Sequence, residues 1–343
     1  MMKLFRKIDN KLISIWVQIR DLYLYLFRHA IIVNGYVDDH TLYGIRHRNW
    51  GDDLNYYFLQ KLTQRPIISY NNFKFAKWLH LDNYMCIGTL IDTDGCANKQ
   101  TIVWGSGASG LERSFTHPAK ILAVRGPRTK EFCNRYGVSC PEVYGDPALL
   151  LPLVYEPRLR FKVQSSKFKV PSSEFPSREG TSFETRNSKL ETKRYRLGII
   201  PHVVDLHHPV IEEIREKNAD EILIVDLGHY KIWTDVIDQI CSCEKILSSS
   251  LHGIIVSDAY QIPNCWITLS KKAIIGHFKF LDYFSSVNRI INNWVVIKTT
   301  DDIFQTTVSC ASKEVIENIQ RGLSETAPFD IYIPIIYNLD GNN

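Results

Sequence analysis

Lys245-Ile246-Leu247-Ser248-Ser249-Ser250-Leu251-His252-Gly253-Ile254-Ile255-Val256-Ser257-Asp258-Ala259-Tyr260 is the stretch on which the reading of the fold turns. A short apolar run ends in three hydroxyls and a helix-like apolar run begins straight after them, so the segment reads as strand, turn, helix. Such a junction leaves backbone N–H groups pointing outward with the positive end of the helix dipole behind them, an anion site in prospect. Ser250 is the candidate helix cap, Gly253 has no side chain to block close approach, and His252 puts a group titrating near neutrality into the first turn. A capped buried helix with a core histidine fits the same residues, and taken alone they do not choose.

Outward from this point the same alternation recurs. Leu197 to His202 and Glu221 to Asp226 read as strands, with helices near Val210 to Lys217 and Ile232 to Cys241. In the first half, strands are expected at Thr41-Leu42-Tyr43-Gly44-Ile45, Ile67 to Tyr70, Tyr84 to Gly88, Thr101 to Trp104 and Ile121 to Val124. A turn at Asn49 to Asp53 precedes a helix over Leu54 to Leu62, with Asp52 or Asp53 as its cap. Strands alternating with helices imply parallel sheets covered on both faces. Residues 156–195 break the pattern: they are rich in Ser, Lys and Arg, with ten Lys/Arg against five Glu, and read as a basic linker. The expected organisation is an amphipathic N-terminal helix (1–34), an α/β domain (35–155), the linker, a second α/β domain (196–300), and a C-terminal helix and tail (301–343). Two similar α/β halves imply a cleft between them, with Ser248 to Gly253 on its wall.

The bulk properties narrow the class. The chain has 343 residues, 45% of them hydrophobic, enough for two packed cores, and its Lys+Arg count of 41 against 37 Asp+Glu argues against a nucleic-acid binder. Eight scattered cysteines lack zinc-site spacing, so no metal site is expected, and they read as reduced thiols of a cytoplasmic protein. No apolar run is long enough to span a membrane. Residues 3–28 nevertheless set Leu4, Phe5, Ile8, Leu12, Ile15, Trp16, Ile19, Leu22, Tyr23 and Leu26 at helical spacing among six basic residues. Such a helix either packs on the protein's own body or another subunit, or lies in a membrane surface, which suits an enzyme peripheral to the inner face of the cell membrane.

Gly105-Ser106-Gly107-Ala108-Ser109-Gly110 has the G-x-G-x-x-G spacing after a strand, but Pro118 interrupts the helix that should follow and the next strand ends in Arg125 rather than an acid. A nicotinamide site is therefore not expected; Gly105 and Gly107 let backbone approach a cleft, or form a turn. Arg125 sits at the carboxyl end of a strand, where open α/β sheets bind ligands and where a guanidinium holds a carboxylate or phosphate. A surface arginine paired with Glu131 is the plainer alternative.

Asn49-Trp50-Gly51-Asp52-Asp53-Leu54-Asn55, Arg125-Gly126-Pro127, Tyr144-Gly145-Asp146-Pro147, Gly198-Ile199-Ile200-Pro201-His202, Ser249-Ser250-Leu251-His252-Gly253 and Phe278-Lys279-Phe280-Leu281-Asp282-Tyr283 together resemble the polysaccharide pyruvyl transferase family, in the family's order. The resemblance implies two Rossmann-like domains facing a cleft, like the GT-B glycosyltransferases. It implies transfer of the pyruvate unit of phosphoenolpyruvate to a diol of a sugar in a capsular or exopolysaccharide repeat unit, lipid-linked or free, giving a pyruvate ketal and phosphate. No tightly bound cofactor is expected; phosphoenolpyruvate is the co-substrate.

By resemblance His252 is the general acid and Arg125 a donor-anion arginine. Asp52 or Asp53 is the candidate base, and Asn49 and Asn55 are placed at the cleft. Some relatives carry arginine directly before Leu-His-Gly where this chain has Ser250, so the phosphate clamp is expected from Ser248, Ser249, Ser250, Gly253, Lys279 or Arg128. The alternative on the same architecture is a glycosyltransferase using a nucleotide sugar, and the third class is a non-catalytic glycan-binding protein.

Overall fold

The structure is a computed structural model that describes residues 2–37, 49–93, 97–111, 114–158, 195–270 and 276–334, with the side chains of the first helix described from residue 13. The strand expected at 41–45, nearly all of the linker and the last residues of the tail lie outside the described residues.

The chain opens with α1 (Met2–Arg28), which leads directly into β1 (Ile31–Val33). There follow α2 (Trp50–Thr63), β2 (Ile67–Ser69), α3 (Lys74–Trp78), β3 (Asn83–Met85), β4 (Thr101–Trp104), β5 (Lys120–Ala123), α4 (Pro127–Arg135) and a 3₁₀ segment, Pro147–Leu153. The second half contains β6 (Leu197–Ile200), α5 (Pro209–Lys217), β7 (Ile222–Ile224), α6 (Trp233–Cys241), β8 (Ile246–Ser248), α7 (Leu251–Ala259) and β9 (Asn264–Thr268). α8 (His277–Ser286), β10 (Val295–Val296), α9 (Thr300–Gln305) and α10 (Lys313–Glu325) complete it.

Each half is one five-stranded parallel sheet, in the order β2-β1-β3-β4-β5 and β10-β9-β8-β6-β7. Counted from its own first strand, each sheet has the order 2-1-3-4-5, so the same doubly wound topology occurs twice. Its strand order reverses between β1 and β3 in one sheet and between β6 and β8 in the other. A crevice opens at such a point because the connections leave the two neighbouring strands toward opposite faces.

Two local expectations are corrected. The first helix of the α/β pattern starts at Trp50, and its cap is Asn49, whose side chain accepts from Gly51 N–H at 3.2 Å; Asp52 and Asp53 lie inside the first turn. Ser250 has the extended backbone of a cap (φ −106°, ψ 133°) but its side chain caps nothing, and the Ser248 hydroxyl instead accepts the Ser250 N–H at 3.0 Å.

The halves are joined by packing as well as by chain. One core cluster runs from Trp50, Leu54 and Phe58 through Leu149 to Leu153 into Ile254, Ile255 and Val256. Trp50 donates from its backbone to Leu227 O at 2.9 Å and from its indole to Trp233 O at 2.7 Å. The C-terminal segment returns to the first half, where Gln320 donates to Leu149 O, the Trp104 indole donates to Leu323 O, and Phe329 packs edge-on against Trp104.

On α1, Val17 and Asp21 are buried, and Gln18 both donates to Asn72 O and accepts from Lys74 N–H, so one face docks on the protein's own body. The other face leaves Ile15, Trp16, Ile19, Tyr23, Leu26 and Phe27 open to solvent, Trp16 58% and Phe27 67% exposed. Among the described residues no helix is long and apolar enough to cross a membrane.

Candidate active site

The strand ends at the two reversal points converge on one cleft of about 210 Å³. The first half contributes Tyr36 after β1 and Gly88 and Thr89 after β3, with Arg125, Asp146, Asn49 and Asp52 beside them. The second half contributes Pro201, His202 and Val203 after β6 and Ser250, Leu251 and His252 at the start of α7, and α8 adds Lys279. Chemistry-bearing groups from both halves thus share one space because both sheets reverse there.

His252 is set into this wall by a glycine. A Cβ on Gly51 would stand 1.9 Å from His252 Nδ1, so the first turn of α2 admits the imidazole only because residue 51 has no side chain. Burial, then the positive charges of Lys279 and Arg125, push His252 down to about 3, so its ring is neutral in the ligand-free protein. Among the described residues its Nε2 has no hydrogen-bond partner, and it lies 4.0 Å from Asp146 Oδ2, which has none either. Burial drives Asp146 up to about 7, against the pull of the Ala148 N–H and Arg125. Asp52 is pushed up to about 6 by burial and by neighbouring Asp53, while Lys279 and a hydrogen bond from Asn49 oppose the rise. Lys279 is lowered by burial and by Arg125.

Arg125 is fully buried and its partner is Asp282, not Glu131. Nε donates to Asp282 Oδ2 at 3.0 Å, Nη1 to Thr89 Oγ1 at 2.8 Å and Nη2 to Ala108 O at 3.0 Å. Asp282 also accepts from the backbone and hydroxyl of Thr129. Both glycines around Arg125 are steric requirements: a Cβ on Gly107 would lie 2.2 Å from its guanidinium carbon, and one on Gly126 would lie 2.1 Å from Asp282 O. The Gly105 to Gly110 loop is therefore the seat of an arginine. Arg125 in turn fastens α8, and with it Lys279, to the first half.

The cleft brings together His252, Asp52, Arg125, Ser250, Lys279 and Asn49. Asp53 faces elsewhere, accepting the Tyr230 hydroxyl at 2.5 Å across the two halves. Asn55 holds the β3 end by donating to Ile87 O and accepting from Ile87 N–H. Ser248 packs against Gly253, whose added Cβ would lie 2.3 Å from the Ser248 hydroxyl, and Ser249 accepts the His202 N–H at 2.7 Å. These serines shape the turn rather than line the cleft. Gly105, at φ 89°, turns the chain against Pro147, and Arg128, outside the cleft lining, donates to the Ser285 hydroxyl at 3.5 Å. Asp146 and His202 were not singled out from the sequence as site residues, although both lie in quoted motifs.

The model of the polysaccharide pyruvyl transferase family matches residues 4–271. The chain belongs to that family. An uncharacterized protein of Acanthamoeba polyphaga mimivirus is 25% identical over 252 residues, covering 71% of this chain and 72% of that protein. No solved structure matches. Membership of the polysaccharide pyruvyl transferase family supports a transferase role, pyruvyl transfer in polysaccharide biosynthesis. The family match covers both halves of the cleft, from α1 through His252, and ends before Lys279.

Proposed function

We propose that the protein moves the pyruvate unit of phosphoenolpyruvate onto two hydroxyls of a sugar in a polysaccharide repeat unit, closing a cyclic ketal and releasing phosphate. The observation that carries this reading is the meeting of a half-buried lysine, a buried arginine and a helix N-terminus with a histidine whose Nε2 has no partner among the described residues, in one cleft of a pyruvyl transferase family member. The described walls enclose about 210 Å³, room enough for a three-carbon phosphate ester. The overall arrangement we read as GT-B-like, the donor lying between the halves.

In this scheme Lys279 and the start of α7 at Ser250 hold the phosphate and carboxylate, with Arg125 adding its field from the wall behind and fixing α8, in place of the arginine that some relatives carry before Leu-His-Gly. His252 protonates the methylene carbon of the enol ether, giving an oxocarbenium-like centre. A sugar hydroxyl attacks that centre, phosphate leaves, and a second hydroxyl closes the ring. Asp52, with a pKa near 6, is matched to accept a hydroxyl proton at neutral pH. The bound anions offset the positive charge of Lys279 and Arg125 and so raise His252 toward the protonated form it needs. The exposed apolar ridge of α1, with Arg20 over the Trp16 ring at 4.9 Å, is read as the face that rests on the membrane where a lipid-linked acceptor is presented.

Phosphate release from phosphoenolpyruvate, dependent on a lipid-linked or free oligosaccharide and lost in His252→Ala with folding intact, tests the reading. Thermal stabilisation by a nucleotide diphosphate but not by phosphoenolpyruvate would instead assign the cleft to glycosyl transfer.

A further inference from the structure

His252 Nε2 on α7 and Asp146 Oδ2 at the head of the 3₁₀ segment are both buried, both without a hydrogen-bond partner among the described residues, and 4.0 Å apart. The other oxygen of Asp146 is committed, accepting from Ala148 N–H at 3.0 Å, and the carboxyl stays in the cleft wall beside the imidazole. A buried polar atom left unpaired costs about 1–3 kcal/mol, and a closing of this pair by roughly 1 Å would let one proton serve both atoms.

We infer that Asp146 is the proton holder for His252: in the ligand-free enzyme a carboxylic acid at Asp146 faces a neutral imidazole, and arrival of an anionic substrate draws that proton onto the ring. The Oδ2–H bond breaks and an Nε2–H bond forms, leaving carboxylate beside imidazolium, with no further reactant. This rests on the reading of His252 as the acid that protonates the enol ether. Asp146 acts through His252 and is a positioning residue.

The surroundings set the direction. Among the described residues, the charged and titratable groups facing Asp146 are His252, Arg125 and Cys86, and those facing His252 are Asp146, Lys279 and Arg125. Burial penalises both charged forms; Arg125 acts on both groups, favouring the carboxylate as it disfavours imidazolium, while Lys279 adds to the penalty on the ring, so without ligand the proton belongs on the carboxyl. A phosphate and a carboxylate beside Lys279 and Arg125 remove that bias. Imidazolium next to a carboxylate then becomes the favoured arrangement.

Asp146→Asn is the test, because the amide keeps the volume and the oxygen that caps the 3₁₀ segment but holds no transferable proton. Phosphate release from phosphoenolpyruvate with acceptor should show kcat reduced on the order of 100-fold with little change in KM, and the basic limb of kcat/KM moved to lower pH. An unchanged kcat with an unmoved limb, or a loss of melting temperature as the only effect, overturns the inference. Nitrogen NMR of histidine-labelled wild-type protein without substrate, with His252 assigned through His252→Gln, gives a second readout. The His252 Nε2 signal should step near neutral pH as Asp146 loses its proton; no step in the wild type overturns the inference independently of folding in the variant. If the wild type releases no phosphate from phosphoenolpyruvate, the donor reading fails while the NMR step still decides whether the pair shares a proton.

Discussion

Gly51→Ala separates the position of His252 from the stability of the fold. The added Cβ would stand 1.9 Å from Nδ1 and 2.4 Å from Cγ of the imidazole, whereas non-bonded heavy atoms settle at about 3.5–4.0 Å, so the ring has to retreat by roughly 1.5 Å or more. Retreat of a buried ring in a packed wall costs about 1–3 kcal/mol. Replacing glycine by alanine in a helix returns up to about 1 kcal/mol. The net change in stability is small, a loss on the order of 1 kcal/mol. Catalysis is far more sensitive, since a misplacement of about 1 Å at a reacting group costs on the order of 100-fold. Calorimetry should therefore find Gly51→Ala melting within a few degrees of the wild type, and phosphate release from phosphoenolpyruvate should find its kcat reduced on the order of 100-fold. A variant with wild-type kcat would refute the placement of the reacting histidine over Gly51. A variant that is fully unfolded would refute the division between a tolerant fold and an intolerant site.

Arg125→Ala removes one side of a fully buried ion pair and should destabilise by about 3–5 kcal/mol in urea unfolding, with Arg125→Lys rescuing only part of it because an ammonium cannot reach Asp282, Thr89 and Ala108 together. Asp146 also links stability to pH. Its folded value near 7 lies above the ordinary 3.8, so the native state binds more protons than the unfolded chain in that window and the contribution present at low pH is lost as pH rises toward 7. Asp146→Asn should match the wild type near pH 4 and exceed it at pH 8 by about 2–4 kcal/mol, read from unfolding at both pH values; equal stability at pH 8 contradicts the burial of a charged carboxylate. Tyr230→Phe should cost about 1–3 kcal/mol through the hydroxyl it gives to Asp53, with little effect on turnover. Replacing Trp16 and Phe27 together by Glu should abolish co-sedimentation with anionic lipid vesicles while leaving the melting temperature unchanged.

Much of the architecture is legible in the residues, because periodicity reports burial and both sheets are buried. Ile246-Leu247-Ser248 is a strand and Leu251 to Ala259 a helix as the pattern indicates. β1 escapes the pattern for a physical reason: Ile31-Ile32-Val33 is buried on both faces and follows an amphipathic helix almost without interruption, so it has no alternation of its own and reads as more helix. The strand order is also invisible locally. Only once the pairing of β6 with both β7 and β8 is known does the reversal beside His202 and Ser250 appear, and with it the reason these motifs meet Thr89 and Tyr36.

The residues that chemistry singles out behaved differently according to what their motifs contain. His252 and Arg125 carry side chains whose function is visible in isolation. Asp146 does not, because an aspartate between glycine and proline reads as a turn, and its free oxygen acquires meaning only when α7 is packed over it from the other half of the chain. Ser250, where the resemblance to some relatives predicts an arginine, leaves a similar gap in sequence, and the charge that reaches the cleft comes from elsewhere. Arg125 is tied up with Asp282, so its charge is locally compensated, and the cation left facing the cleft beside Asp52 is Lys279, three residues before Asp282 on α8. The Arg125 to Asp282 pair thus orients a second cation rather than supplying the first. Lys279→Ala should accordingly raise KM for phosphoenolpyruvate with the melting temperature preserved, whereas Asp282→Asn should do so only by loosening α8, with a matching fall in stability. A Lys279→Ala enzyme with wild-type KM would return the anion clamp to α7 and Arg125 alone.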